Sequence, residues 1–396
     1  MRKENDFDWL TIGALNSVSA LAQVGQFGIA FVVLPVWLAQ QGLDPTQLGT
    51  FAASLWLGQL PGLALAPWLS KHFGPRKVIL AGLLCTVIAL LWIALSTWPF
   101  GLIGGTLAGF GLGLRWIGLE PWLYHIAPAH ARGRLIGFHE TLIAIAPIVG
   151  PFFAGYFGLH GLAVFWIGAV FTLAALLPLA FARVSVVEVS VQSSNSENVN
   201  PLIPLKDGIF KQGVVIALLG GMMEAAVSGL FAPFSQSRGI SVSETADLLA
   251  VFGLGGLLLQ YGVGWLADHR GVGMAAISCA ICTILVTAAL TLPLSFTLVV
   301  IAVFLLGGLI TAFLTLALIA GTTTTSGTMA KNVSMLAMLY TVSAIAGPLI
   351  AGATMKATRG DALMWFTATA AMIMLCALGW TSFTMMHRAK SNQKIE

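Results

Sequence analysis

Six ionisable residues stand inside long apolar runs of the sequence: Arg115, Glu120, His125, His139, Glu140 and Glu224. A charge in such a run is costly unless it is paired or hydrated, so each suggests function by default. At a rise of about 1.5 Å per residue, Glu224 lies near the middle of its run. A carboxyl there can load and release a proton or hold a cation; its structural alternative is a partnership with Arg115. Arginine keeps its charge, so Arg115 needs a partner, water or an anionic solute. Glu120 is five residues beyond Arg115, about 140° around a helix, and shares a face instead with Trp116 and Tyr124. Pairing with Arg134 or with the basic inner loop, as a gate clamp, is favoured for it over contact with a solute. His139 and Glu140 are neighbours that could relay a proton or pack against other helices.

Polar residues supply a second pattern. Asn16, Ser19, Gln23 and Gln26 recur at spacings of 3, 4 and 3 and share one helix face. That face needs water, solute or a partner helix. Glu224 and Ser228 are related by i, i+4, as are Thr311 and Thr315, although threonine in apolar helices often bonds its own backbone.

The elements that position these residues follow from composition. Of 396 residues, 58% are hydrophobic and only 9% charged, against about 25% charged in a soluble domain; mean hydropathy is +0.91. This is an all-α integral membrane protein, and soluble, disulfide-scaffold and disordered classes are excluded. Breaks at charged or Pro/Gly clusters leave twelve spans: 10–39, 46–70, 77–97, 99–126, 133–158, 161–183, 209–237, 244–267, 273–293, 295–321, 329–356 and 361–386. The acidic first residues (Glu4, Asp6, Asp8) and the lack of a small-residue cleavage site argue against a removable signal. With the N-terminus inside, 15 Lys/Arg fall in inner loops and three (Arg238, Lys356, Arg359) in outer ones, so both termini are expected in the cytoplasm. The net charge of +4 is scattered through short loops and carries no nucleic-acid signature. Cys85, Cys279, Cys282 and Cys376 sit in apolar runs and read as structural, so no metal or cofactor is expected. No phosphate-binding G-x-x-x-x-G-K-S/T is present, and no metal cluster or nucleophile set appears at workable spacing, so the chain does not read as an enzyme.

An internal repeat runs at an offset of 197. Gly150-Pro151-Phe152-Phe153-Ala154-Gly155 matches Gly347-Pro348-Leu349-Ile350-Ala351-Gly352; Gly42 matches Gly239, Gly74 matches Gly271 and Cys85 matches Cys282. Two six-span halves result, 1–184 and 209–396, joined by a polar linker at 185–208 that reads as loop despite a short alternation at 184–189. The second half enters from the same side, as in a parallel repeat. Gly105-x-x-x-Gly109-x-x-x-Gly113 reads as a packing seam on span 4.

These residues carry a family resemblance. Gly264-Trp265-Leu266-Ala267-Asp268-His269-Arg270-Gly271 resembles the major facilitator loop motif G-x-L-A-D-R-x-G-R-K, departing from it at Val272 and Gly273. The first-half loop, Pro67 to Lys77, keeps Gly74 and Arg76 but has Lys71 in place of the Asp. Gly150–Gly155 looks like the antiporter motif of span 5, and 128–134 like the loop before it. Glu120-Pro121-Trp122-Leu123 resembles the E-S-W-L of a YcaD-like branch. The family's span 4 arginine aligns on Gly105, so that arginine's role does not carry over.

The resemblance implies a secondary active transporter working by alternating access, a monomer whose partners are the lipid bilayer, a small solute and a proton, located in a bacterial inner membrane. Spans 1, 4, 7 and 10 would line its cavity. Gly264, Asp268, Arg270, Gly271 and Arg76 would form a gating motif. Gly150, Pro151, Gly155, Gly347, Pro348 and Gly352 would form bendable seams. Proton-coupled export of an organic solute is the leading expectation. Uptake of an organic anion held by Arg115, and a sensor or scaffold without transport, are the alternatives.

Overall fold

The computed structural model describes residues 8–128, 132–159, 161–183 and 207–392. Arg2, Lys3, Lys206, Lys394, the alternation at 184–189, most of the linker and part of the loop before span 5 lie outside them. Among the described residues, twelve helices are long and apolar enough to cross a membrane: α1 Trp9–Gln40, α2 Pro45–Phe73, α3 Pro75–Leu95, α4 Gly101–Ile126, α5 Arg134–Phe157, α6 Ala163–Phe181, α7 Gly208–Ser237, α8 Val242–Arg270, α9 Val272–Leu290, α10 Phe296–Thr323, α11 Lys331–Ala357 and α12 Ala362–Thr384. Their ends agree with the expected spans to within three residues, except that the last helix continues to Asn392, six residues past its expected end.

The offset of 197 reappears as matched local geometry. Gly42 and Gly239 close the turns after α1 and α7, and Gly74 and Gly271 those after α2 and α8; all four have positive φ, between 71° and 85°, which a side chain resists. Asp44 and Ser241 each begin a capping box. The Asp44 carboxylate accepts from the Thr46 and Gln47 amides while Gln47 Oε1 accepts from the Asp44 amide at 2.9 Å. Ser241 and Glu244 exchange the same bonds at the start of α8. The residues of the two boxes, Asp44-Pro45-Thr46-Gln47 and Ser241-Val242-Ser243-Glu244, are also 197 apart.

Contacts among the described residues sort the chain into two compact units: Met1–Leu43, Thr50–Asn195 and Ser241–Ala250 form one, and Asp44–Gly49, Ser196–Ile240 and Val251–Glu396 the other. In the first unit α1 packs on α5 and α6, and α3 on α4 and α6. In the second, α7 packs on α11 and α10, and α9 on α12 and α10. Glycine sets how close these helices come, because lipid offers no hydrophobic drive between them. A Cβ on Gly150 would lie 2.6 Å from the Gly28 backbone of α1, and one on Gly347 would lie 2.1 Å from Met222 O of α7. On α4, Cβ atoms at Gly105, Gly109 and Gly113 would run into Ser54, Leu55 and Gln59 of α2.

One departure from regular helix lies inside α1. Residues Val24–Val33 are π-helical, with the amide of Leu34 donating to Ile29 O. The amide spacing gave no sign of it. Gly25 lies against α6 at Gly168 and Thr172, and Gly28 against α5 at Ala146 and Gly150.

Gly347→Ala is expected to destabilise the chain by about 1–3 kcal/mol, the usual range for overpacking. Gly264→Ala, whose Cβ meets nothing within 4 Å, should leave thermal unfolding in detergent unchanged.

Candidate functional site

Arg115 is carried by α4 and is only 2% exposed. It reaches the stripe of α1 directly. Its Nη1 donates to Ser19 Oγ at 3.2 Å, Nε to Gln26 Oε1 and Nη2 to Gln23 Oε1. Gly82 of α3 makes room for it, because a Cβ there would lie 2.8 Å from the Arg115 amide. Gln26 is held from behind: its Nε2 donates to Thr86 Oγ1 at 2.8 Å and to Gly82 O at 3.4 Å. Three amide or hydroxyl side chains of α1 therefore enclose the guanidinium. Among the described residues, Arg115 makes no ion pair with a carboxylate.

The network continues to His139 of α5, which is fully buried. Asn16 Nδ2 donates to Ile12 O at 2.9 Å, which turns Oδ1 towards His139 Nδ1 at 3.0 Å. Nδ1 thus carries the proton, and Nε2 is left to accept from Ser19 Oγ at 3.5 Å. A directed chain follows, from Arg115 through Ser19 and His139 to Asn16. Glu120 Oε1 stands 3.9 Å from the same Nε2. The expected Glu120–Arg134 clamp is not what the structure shows. Glu120 turns to His139, while Arg134 is exposed. Glu140 Oε1 accepts from Tyr124 O–H at 3.0 Å, and the Tyr124 ring stands edge-on to that of His139.

Of the α1 stripe, Asn16, Ser19 and Gln26 are buried in interhelical bonds and Gln23 is half-buried. The face is both a helix seam and, at Gln23, an approach to Arg115.

In the second unit, Glu224 of α7 accepts from Tyr340 O–H of α11. Gly221 lets Tyr340 come this close, since a Cβ there would lie 2.3 Å from Tyr340 O, and one on Gly220 would crowd the Tyr340 ring at 3.2 Å. Glu224 and Arg115 each take their hydrogen bonds within their own unit. Ser228, one turn from Glu224, is half-buried. Thr311 bonds its own Gly307 O at 2.8 Å, whereas Thr315 accepts from Gln260 of α8. Tyr340 and Gln260 are polar partners that sequence reasoning missed. Their helices are apolar around them, and only spatial proximity singles them out.

At the α8–α9 turn, Asp268 and Arg270 are exposed and Gly264 is half-buried, while Gly271 supplies the positive φ. Arg76 is exposed and donates to Ala180 O at 3.2 Å. A matched device flanks both turns: His72 Nδ1 bonds Trp68 O and His269 Nδ1 bonds Trp265 O, with the rings 4.5 and 4.3 Å apart. Pro151 and Pro348 lie inside α5 and α11 beside the glycine contacts. A Cβ on Gly155 would meet Asp247 Oδ1 at 3.4 Å, and one on Gly352 would meet Pro45 O at 2.4 Å.

Within the second unit, Asp44 also pairs with Lys356 Nζ at 2.8 Å. The hydrogen-bonded Lys356 ammonium holds the Asp44 carboxyl below the usual carboxylate range; burial opposes this, and the Gln47 and Thr46 amides reinforce it. A lowered folded pKa contributes stability above the unfolded value and loses it as pH falls through the folded one. Asp44→Asn should therefore unfold at lower temperature than the wild type at pH 7. The gap should close below about pH 4, the ordinary carboxylate range, in thermal melts at stepped pH.

The comparisons with known proteins bear on family and fold. A family model described as Major Facilitator Superfamily matches residues 17–348. The "Uncharacterized MFS-type transporter YcaD" of Escherichia coli O17:K52:H18 (strain UMN026 / ExPEC) is 26% identical over 237 residues, 58% of this chain and 59% of the relative. Its namesake in Shigella sonnei (strain Ss046) is 26% identical over 239 residues, with the same shares. The chain thus spans 59% of the length of these curated relatives. Among solved structures, the nucleoside transporter NupG superposes with a TM-score of 0.82 at 14% identity, covering 94% of this chain and 99% of that one. A D-xylose-proton symporter gives 0.73 at 14% identity, covering 93% and 97%. At such identities the likeness is one of fold.

Proposed function

Because the chain belongs to the Major Facilitator Superfamily, matched over residues 17–348, and is a multi-pass cell membrane protein rather than an enzyme, we propose that it is a proton-coupled secondary active transporter. In this reading it exports a small organic solute by alternating access. The observation that carries it is the Glu224–Tyr340 hydrogen bond within the span of α7. The tyrosine hydroxyl can donate to an ionised Glu224 or to the carbonyl oxygen of the protonated acid. Both states keep a partner, so a proton can come and go without leaving a buried polar group unmatched. Glu120, His139 and Glu140 are further candidate proton-accepting groups; of these, His139 is linked to Arg115 through Ser19, with Glu120 beside it.

Export rests on the resemblance of Gly150–Gly155 to the antiporter motif. The Lys/Arg bias supports cytoplasmic termini and a cytoplasmic linker at 185–208 between halves 1–184 and 209–396. The proposed setting is a monomer in a bacterial inner membrane. Asp268, Arg270, Gly264, Gly271 and Arg76 serve in it as the gating motif, and Gly150, Pro151, Gly155, Gly347, Pro348 and Gly352 as the seams that bend or slide.

One observation favours a second reading, uptake of an organic anion. Every hydrogen bond from Arg115 ends on an uncharged acceptor.

A thermal-shift screen of purified protein at two pH values identifies the solute. With that solute in proteoliposomes, Glu224→Gln is expected to cut proton-driven accumulation by roughly tenfold or more, the scale of ~1.4 kcal/mol, while counterflow persists. Undiminished accumulation by Glu224→Gln would assign the coupling proton elsewhere.

A further inference from the structure

The three acceptors around Arg115 are not equivalent. Ser19 and Gln26 are buried, and each is bound a second time, Ser19 by His139 and Gln26 by Thr86 and Gly82. Gln23 is half-buried, and its hydrogen bond to Arg115 Nη2 is its one polar contact among the described residues. It is also the last residue before the π-helical segment Val24–Val33, a backbone form that recurs at functional sites. Behind it lies a guanidinium that makes no ion pair with a carboxylate among the described residues, and whose planar fork suits an anionic oxygen pair. A buried cation whose hydrogen-bond acceptors are all neutral dipoles gains when one of them is exchanged for a negative charge.

We propose that Arg115 anchors an anionic group of the transported solute, a carboxylate or a phosphate, and that this group binds at Nη2 by displacing Gln23 Oε1. Gln23 is then an internal stand-in for the ligand. It satisfies the guanidinium between transport events and turns aside when an anion arrives. Ser19 and Gln26, tied from behind, keep the guanidinium aimed. This deepens the transporter reading, on which the fate of the ligand rests, while the binding step is measurable without flux.

The test uses the purified full chain in detergent at constant ionic strength. Thermal unfolding is followed with glucuronate, benzoate and inorganic phosphate, and with glucose as the uncharged counterpart of glucuronate. A saturable rise of about 2–4 °C is expected with at least one of the anions and not with glucose. A stronger response to the carboxylates than to phosphate, or the reverse, assigns the group. Arg115→Gln should abolish the response but can unfold the protein, so Gln23→Glu is the decisive variant. Its fixed carboxylate should raise the unliganded midpoint above that of the wild type and weaken the anion response by roughly tenfold or more. The proposal is overturned if no anion exceeds glucose on the wild type. It is equally overturned if Gln23→Glu lowers the unliganded midpoint or responds as the wild type does. Proteoliposomes separate the two readings: binding without any solute flux removes the transporter reading and leaves the anion site standing, whereas flux of an uncharged solute without anion binding does the opposite.

Discussion

Close backbone contact at glycine is the constraint on which both units depend. Helices in lipid gain nothing from hiding apolar surface from one another, so they associate where small residues allow close van der Waals approach. Gly150 against Gly28 seats α5 on α1, and Gly347 against Met222 seats α11 on α7. On α1 the π-helical segment presents Gly25 and Gly28 to α6 and α5. With those sides occupied by glycine, Gln23 and Gln26 are turned to α3 and α4, where Arg115 meets them. Rotation of α1 is therefore set by packing, and the polar cage is its consequence.

The two units handle ionisable groups differently. In the first, a permanent cation is enclosed by neutral oxygens, and the nearby histidine has its tautomer set by Asn16. In the second, a carboxyl is matched by one phenol. A guanidinium cannot discard its proton inside a membrane, so it must be solvated by the protein in every state. A carboxyl can discard its charge and needs only a partner that serves both forms. These requirements suit a solute anchor and a proton site respectively, within one superfamily fold.

Much of the fold was legible in the residues. Twelve apolar runs and the offset of 197 follow from hydropathy and from glycines that must take positive φ. The stripe of Asn16, Ser19, Gln23 and Gln26 was legible too, because helical spacing puts them on one face whether or not the backbone widens locally. The partners across helices were not. A clamp to Arg134 or to the basic inner loop suits Glu120 on sequence alone, yet its carboxyl stands beside His139. Tyr340 and Gln260 carried no local signal, because a lone polar residue in an apolar helix looks the same whether it faces another helix or a cavity.

The sequence by itself therefore determined the class of molecule, the number of spans, the repeat and the short roster of residues able to carry charge in a membrane. Those depend on local hydropathy and backbone sterics, which each segment expresses alone. Only the tertiary structure decided which of those residues meet: Arg115 with the amides of α1, His139 with Ser19 and Asn16, and Glu224 with Tyr340. The physical reason is that a hydrogen bond between helices requires a defined rotation and separation of both. These are set by glycine contacts many residues away from the groups they bring together.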